Sequence, residues 1–189
     1  SGGMNVYVYQ VARELSKLGN KVDVFTRRHD PDDPQIVDIG ENVRVVHLAA
    51  GKYCQTKDDL YGHIPEFLEN LYSFQRSEGV EYDLIHSHYW LSGAVGMKLA
   101  MKWRVPHCAM FHTLAMSKIQ ARPGQQETKL RIAVEADIMR SVDALVVSTA
   151  EESEDVARFY RVSPRNVKVI PAGVDLDRFQ PINKADARK

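Results

Sequence analysis

Asp83-Leu84-Ile85-His86-Ser87-His88-Tyr89-Trp90-Leu91-Ser92-Gly93 is the stretch that sets the fold class. A short apolar run ends in two histidines, a tyrosine and a tryptophan, and a helix-like run to Trp103 follows at once. Short buried strands that hand over directly to helices are the mark of βα units in a parallel sheet. In such sheets ligands bind outside the carboxyl ends of the strands. Polar and aromatic residues crowded at that junction are therefore candidates for a site. His107-Cys108-Ala109-Met110-Phe111-His112-Thr113 is a second junction of the same kind. Gly2-Gly3-Met4-Asn5, opening a helix-like run, is a third.

The alternation extends in both directions. Met4, Tyr7, Val8, Val11, Ala12, Leu15 and Leu18 recur at helical spacing, and Gly19 closes the run. Strands are expected at Lys21–Thr26, Val43–Ala49, Asp83–Ser87, His107–Phe111, Ala144–Ser148 and Val167–Ile170. Helices are expected at Leu60–Glu78, Gly93–Trp103, from about Glu127 to Arg140, and from Thr149 to Tyr160. Thr149 with Glu152 fits a capping box at the start of the last of these. His29–Pro34, Gly51–Asp59 and the stretch after Phe111 through Gly124 read as loops. The pattern predicts one doubly wound, Rossmann-like α/β domain with a parallel sheet covered on both faces.

Composition narrows the function. The 189 residues carry 25 Lys plus Arg against 25 Asp plus Glu, so no basic stripe argues for nucleic acid. The apolar runs are too short to span a bilayer. Cys54 and Cys108 lie far apart and form no CxxC pattern, so two reduced thiols and a cytoplasmic setting are expected.

Each candidate has a plainer reading beside it. Paired glycines before a helix let the backbone approach a ligand closely, and the helix N-terminus favours an anion such as diphosphate, but GGMN is neither a dinucleotide fingerprint nor a P-loop, and a tight turn would explain it. His86 and His88 point to one face of a strand and could ligate a metal with His112. With no carboxylate or cysteine at suitable spacing, no metal is expected. Tyr89 and Trp90 suit packing as well as ligand contact. Lys57 and Arg131, taken singly, are solvated surface charges. If the loops converge, Lys57, Tyr89, Thr113 and Arg131 make a phosphate-binding set, the Arg supplying a fork of donors and the Lys a point charge.

GGMNVYV, HSHYWLSG, FHTLAMSK, Arg131-Ile132-Ala133-Val134-Glu135, STAEE and VIPAGVDLDRF resemble successive motifs of the retaining glycosyltransferases of family 4, which have the GT-B fold. The likeness runs along nearly the whole chain. It is greatest to the branch that acts on inositol phosphate and more distant to the sucrose-phosphate synthases. It implies that residues 1–175 are the acceptor-side Rossmann-like domain and that 176–189 begin the linker to a donor-binding domain. It also implies a first strand before Gly2. By position, Gly2 and Gly3 resemble a loop that meets the donor diphosphate, and Asn5 a contact to acceptor hydroxyls. Lys57, Tyr89, Thr113 and Arg131 resemble the acceptor-phosphate cluster. His112 resembles the histidine beside the donor sugar and the reaction centre. The implied partners are a nucleotide sugar (a UDP-sugar) and a phosphorylated polyol or sugar, with no cofactor and with a homodimer expected. The implied chemistry is front-side attack by the acceptor hydroxyl, whose proton passes to the departing diphosphate. Isolated from a donor domain, the chain is expected to be inactive. Ile119 after Lys118, and the loop from Gln120 to Gln126, depart from the family pattern.

Overall fold

The computed structural model describes residues 2–53, 55–122, 124, 127–176 and 179–188, without the side chains of residues 57, 58 and 164. Helix α1 (Gly3–Lys17) opens the chain. Strand β1 (Val22–Arg27) pairs in parallel with β3 (Val43–Leu48). Between them in sequence, β2 (Ile36–Gly40) pairs antiparallel with β3, with a register shift at Asp38/Gly40. Helices α2 (Lys57–Tyr61) and α3 (Ile64–Glu78) follow. Then β4 (Ile85–His88), α4 (Trp90–Trp103), β5 (His107–Met110), α5 (Ala115–Ala121), α6 (Lys129–Ser141), β6 (Ala144–Val147), α7 (Ala150–Tyr160) and β7 (Val167–Val169) complete the chain. Strands β4, β5, β6 and β7 lie side by side in that order, all parallel.

The α/β alternation stands, with four differences from the sequence reading. The strands form two sheets, β1-β3-β2 and β4-β5-β6-β7. Strand β2 was not anticipated: Asp38 and Gly40 interrupt its apolar alternation, and its pairing to β3 exists only once the chain has turned back. The predicted helix Leu60–Glu78 is two, because Gly62 and His63 separate α2 from α3. The stretch read as a loop after Phe111 contains α5, whose seven residues are too few to show a periodicity.

Local chemistry explains the boundaries. Thr56 and Asp59 form a reciprocal capping box on α2. Thr128 accepts the Arg131 N–H at 3.2 Å and starts α6. Thr149 likewise accepts from Glu152 N at 3.1 Å, but the Glu152 carboxylate takes the Ser148 N–H, so only half of the expected box forms. Gly79, at φ 63°, ends α3 in the left-handed conformation that costs glycine least.

One apolar core joins both sheets. Val46 and Leu48 of β3, Leu71 and Phe74 of α3, Ile138 of α6 and Leu145 of β6 all belong to it. Asp23 of β1 accepts from Arg44 Nε of the neighbouring β3 at 2.7 Å and from the hydroxyl of Tyr82, in the segment leading to β4, at 2.6 Å. Helix α4 rides low on its neighbours through two glycines. A Cβ on Gly93 would lie 2.6 Å from Ile138 Cδ1, and one on Gly96 would lie 2.6 Å from His107 Cε1. The glycines of α4 therefore serve packing against α6 and β5. Among the described residues, no helix is long and apolar enough to cross a membrane.

Candidate active site at the strand ends

Strands β4 and β5 pair in register from Ile85 with His107 to His88 with Met110, so their carboxyl ends finish together. The chain leaves both in an uncommon way. Tyr89 sits at φ 78° and His112 at φ 61°, and neither is glycine. Such residues cost of order 1–3 kcal/mol each and cluster where geometry serves function. Both had been singled out from sequence; their backbone strain had no sequence signal.

The histidines meet at this end. His88 Nδ1 lies 3.0 Å from His112 Nε2, in a hydrogen bond between the two rings. His86 lies behind His88, tilted by 47° with ring centres 4.2 Å apart, and His88 and His112 are 5.2 Å apart. The three form a row of rings rather than a cage about one point. Burial pulls the His86 pKa below the usual histidine value, assisted by His112. Burial, with His86 and His112 nearby, pulls His88 down to about 3, and burial lowers His112 as well. Burial thus favours the uncharged form of all three rings, with the hydrogen bond joining His88 to His112. Behind it, Ser87 Oγ and His107 Nε2 are 2.7 Å apart in the core.

Helix α1 presents its first turns to the same place. Tyr7 meets His112 edge-on at 5.1 Å and His88 at 5.9 Å. Gly2 is the N-cap of α1, and Gly2, Gly3 and Asn5 are exposed. A Cβ at Gly2 or Gly3 would meet nothing within 4 Å, and neither has positive φ. Packing within this chain does not require these glycines, and the first turn carries no acidic residue. The positive end of the helix dipole favours an anion there.

On the other side of His112 lies a charged network. Arg131 is not a surface residue: it is 2% exposed, and Glu135, one turn later, is fully buried. Arg131 donates from Nε to Glu135 at 2.7 Å, from Nη1 to Glu127 at 3.0 Å and from Nη2 to the Thr113 carbonyl at 2.8 Å. Its guanidinium lies 5.0 Å from the centre of the Tyr89 ring. Glu135 also accepts from the Ala115 N–H at 3.0 Å and from the Tyr160 hydroxyl. Lys118 donates to the other oxygen of Glu127 at 2.9 Å. Burial opposes the charge of Arg131, but the bond to Glu135 wins and holds its pKa above the ordinary value. Burial also opposes the charge on Glu127, yet the Lys118 bond and the two cations keep its carboxyl below the usual range.

Tyr89, Thr113 and Arg131 are thus brought together from three separate segments. Lys57 is the first residue of α2, and its side chain lies outside the described residues. Its helix docks at this end, since Tyr61 stacks on Trp90 at 5.7 Å. Sequence reasoning missed Glu127, Glu135 and Tyr160. Arg131 and Glu135 stand four apart on a helix, which alone reads as an exposed ion pair. Of the two thiols expected to be reduced, Cys108 is free and half-buried, and Cys54 lies outside the described residues. Among the described residues, no group of three or more His, Cys, Asp or Glu is set to hold a metal ion.

The fold is of the Rossmann-like GT-B type, and its strand ends carry two residues at positive φ, a histidine row and a buried arginine. The chain belongs to Glycosyltransferase Family 4, whose pattern matches residues 1–178. It is 41% identical over 186 residues to a D-inositol 3-phosphate glycosyltransferase of Corynebacterium glutamicum, covering 97% of this chain and 44% of the relative. In structure it resembles the sucrose-phosphate synthase of Thermosynechococcus elongatus, with a TM-score of 0.87 and 33% identity, over 100% of this chain and 46% of that one. A more distant likeness is to the Anabaena protein HepE, solved with UDP and glucose. It has a TM-score of 0.61 and 11% identity over 93% of this chain and 42% of that one, and speaks to the fold alone. The chain therefore spans less than half the length of these relatives.

Proposed function

We propose that this chain is the acceptor-side part of a retaining glycosyltransferase that moves a sugar from a UDP-sugar to a phosphorylated polyol, inositol phosphate first among them. The observation that carries the reading is the convergence of Tyr89, Thr113 and Arg131 beside His112 at the ends of β4 and β5. A guanidinium, a hydroxyl and a phenol are what a phosphate monoester needs for charge and orientation. Lys57 is proposed to join them from α2, and Asn5 to meet acceptor hydroxyls from α1. The N-terminus of α1, with Gly2 and Gly3, is proposed to meet the donor diphosphate, where a helix dipole suits the growing negative charge. The name of the Corynebacterium relative supports the acceptor class.

In the proposed reaction the acceptor hydroxyl oxygen bonds to the anomeric carbon as the bond to the diphosphate breaks. The departing diphosphate oxygen takes the hydroxyl proton. The protein supplies orientation and stabilises charge on the leaving group, and needs no nucleophile of its own. His112, held by His88, is proposed to hydrogen-bond the donor sugar. Residues 1–175 would serve the acceptor, 176–189 would lead to the donor-binding part, and the chain alone would be inactive.

The likeness to sucrose-phosphate synthase favours a second reading, transfer to fructose 6-phosphate. The test uses the intact protein with UDP-N-acetylglucosamine or UDP-glucose, each with inositol 3-phosphate or fructose 6-phosphate, and mass spectrometry of products. Product on inositol phosphate, with acceptor KM raised strongly by Lys57→Ala and by Arg131→Ala, is the expected result. Product on fructose 6-phosphate alone moves the protein to the second reading. Unchanged acceptor kinetics in both variants overturns the phosphate cluster.

A further inference from the structure

We infer that Glu127 occupies the place of the acceptor phosphate in the ligand-free protein, bridging Lys118 and Arg131 as a carboxylate stand-in that a phosphorylated acceptor must displace. The inference rests on the phosphate-site reading above and adds a competitor within the chain. Glu127 presents one oxygen to Lys118 at 2.9 Å and the other to Arg131 at 3.0 Å. A phosphate bridges two cations in the same way, with one oxygen to each.

The two carboxylates on Arg131 are not equivalent. Glu135 is fully buried on α6 and is locked by the Ala115 N–H, the Tyr160 hydroxyl and Arg131 Nε. Glu127 keeps 14% of its side chain exposed and lies outside α6, one residue before the Thr128 cap. Swinging Glu127 away needs side-chain rotations and breaks no helical hydrogen bond. Lys118, 36% exposed, is reachable from solvent.

Charge gives the exchange its direction. With Glu127 in place, two cations face two carboxylates and the cluster offers an incoming anion no net attraction. With Glu127 withdrawn, one positive charge is left over. A phosphate, carrying up to two negative charges, competes for both cations, whereas an unphosphorylated polyol has no charge with which to displace a carboxylate. Glu127 thereby acts on specificity: it keeps Arg131 paired until a strong anion arrives, and raises the threshold against weak ones.

The test is Glu127→Gln in the intact protein, with binding of inorganic phosphate measured by calorimetry and acceptor KM measured for a phosphorylated and an unphosphorylated polyol. Removing the competing charge should tighten inorganic phosphate by about tenfold and lower the phosphorylated acceptor's KM by more than it changes the unphosphorylated polyol's. Glu127→Asp, too short to span both cations, should give a smaller gain of the same sign. Phosphate binding that is unchanged or weaker in both folded variants overturns the inference. Turnover of a phosphorylated acceptor without such a gain overturns the Glu127 role alone. Absence of turnover with any phosphorylated acceptor overturns the functional reading, while the phosphate titration still decides whether Glu127 guards an anion site.

Discussion

Replacing Glu135 by Gln should be among the most damaging single changes of nearly constant shape in this protein. The carboxylate is fully buried and receives the Arg131 Nε–H, the Ala115 N–H and the Tyr160 hydroxyl. Breaking a buried ion pair by removing one partner costs about 3–5 kcal/mol, because the other charge stays buried. Two features place the cost at the lower end. Arg131 keeps Glu127 as a counter-charge at 3.0 Å, and the Tyr160 hydroxyl can turn to accept from the new amide. A loss of about 3 kcal/mol follows, a large part of a total stability of roughly 5–15 kcal/mol. With a urea slope of about 2 kcal/mol/M, the midpoint should fall by about 1.5 M with the slope unchanged. Urea titrations followed by circular dichroism at pH 7 measure both. Glu127→Gln is the control: it removes the less buried carboxylate and leaves Arg131 its bond to Glu135, so it should cost clearly less. A Glu135→Gln shift below about 0.3 M, or equal shifts in the two variants, would refute the division into a structural and an exchangeable carboxylate.

Acid should destabilise the fold through its histidines. His86, His88, His107 and His112 all have pKa values pulled below the unfolded value, His88 to about 3 and His107 to about 4, so the unfolded chain binds more protons below about pH 6.5. Their contribution is fully present above that pH and is lost as the pH falls toward the folded values, by up to about 1.4 kcal/mol per pH unit for each histidine; urea midpoints level from pH 7 to pH 5 would contradict this. Gly96→Ala should destabilise by about 1–3 kcal/mol, since the new methyl presses on the buried His107 ring rather than on a flexible tip; thermal melts would show it, and an unchanged melting temperature would mean that α4 and β5 yield freely. Arg104→Gly should do the opposite and stabilise by roughly 0.5–1 kcal/mol, because this exposed helix end holds a non-glycine residue at φ 57°; a lowered urea midpoint would show that the Arg104 side chain matters more than its backbone.

Much of the fold was legible in the residues. Strands expected at Asp83–Ser87 and His107–Phe111, close to the observed β4 and β5, and helices with one apolar face follow from side-chain periodicity, which reports how each segment buries itself. The placing of His86 and His88 on one face followed from the two-residue repeat of a strand. Strand β2 was not legible, because its apolar residues gain a face only by pairing antiparallel to β3, and that pairing joins segments by tertiary approach. The break at Gly62 and His63 escaped for a similar reason: the apolar spacing continues across it, and Tyr61 turns aside to stack on Trp90.

The site divides in the same way. Sequence by itself determined the candidates: which strand ends carry histidine, tyrosine and threonine, and that Arg131 belongs to a family motif. Only the tertiary structure decided their company. It buried Arg131, set Glu135 behind it and Glu127 in front, and put the Tyr89 ring against its guanidinium. It also drew Tyr7 of α1 onto the histidine pair. The physical reason is that a charge's role depends on the dielectric and the partners around it, and those come from segments far apart in the chain. Four residues apart on a helix, Arg131 and Glu135 would be an ordinary solvated pair; closed over by α5, α7 and the end of β5, the same two residues become a buried, fully partnered ion pair.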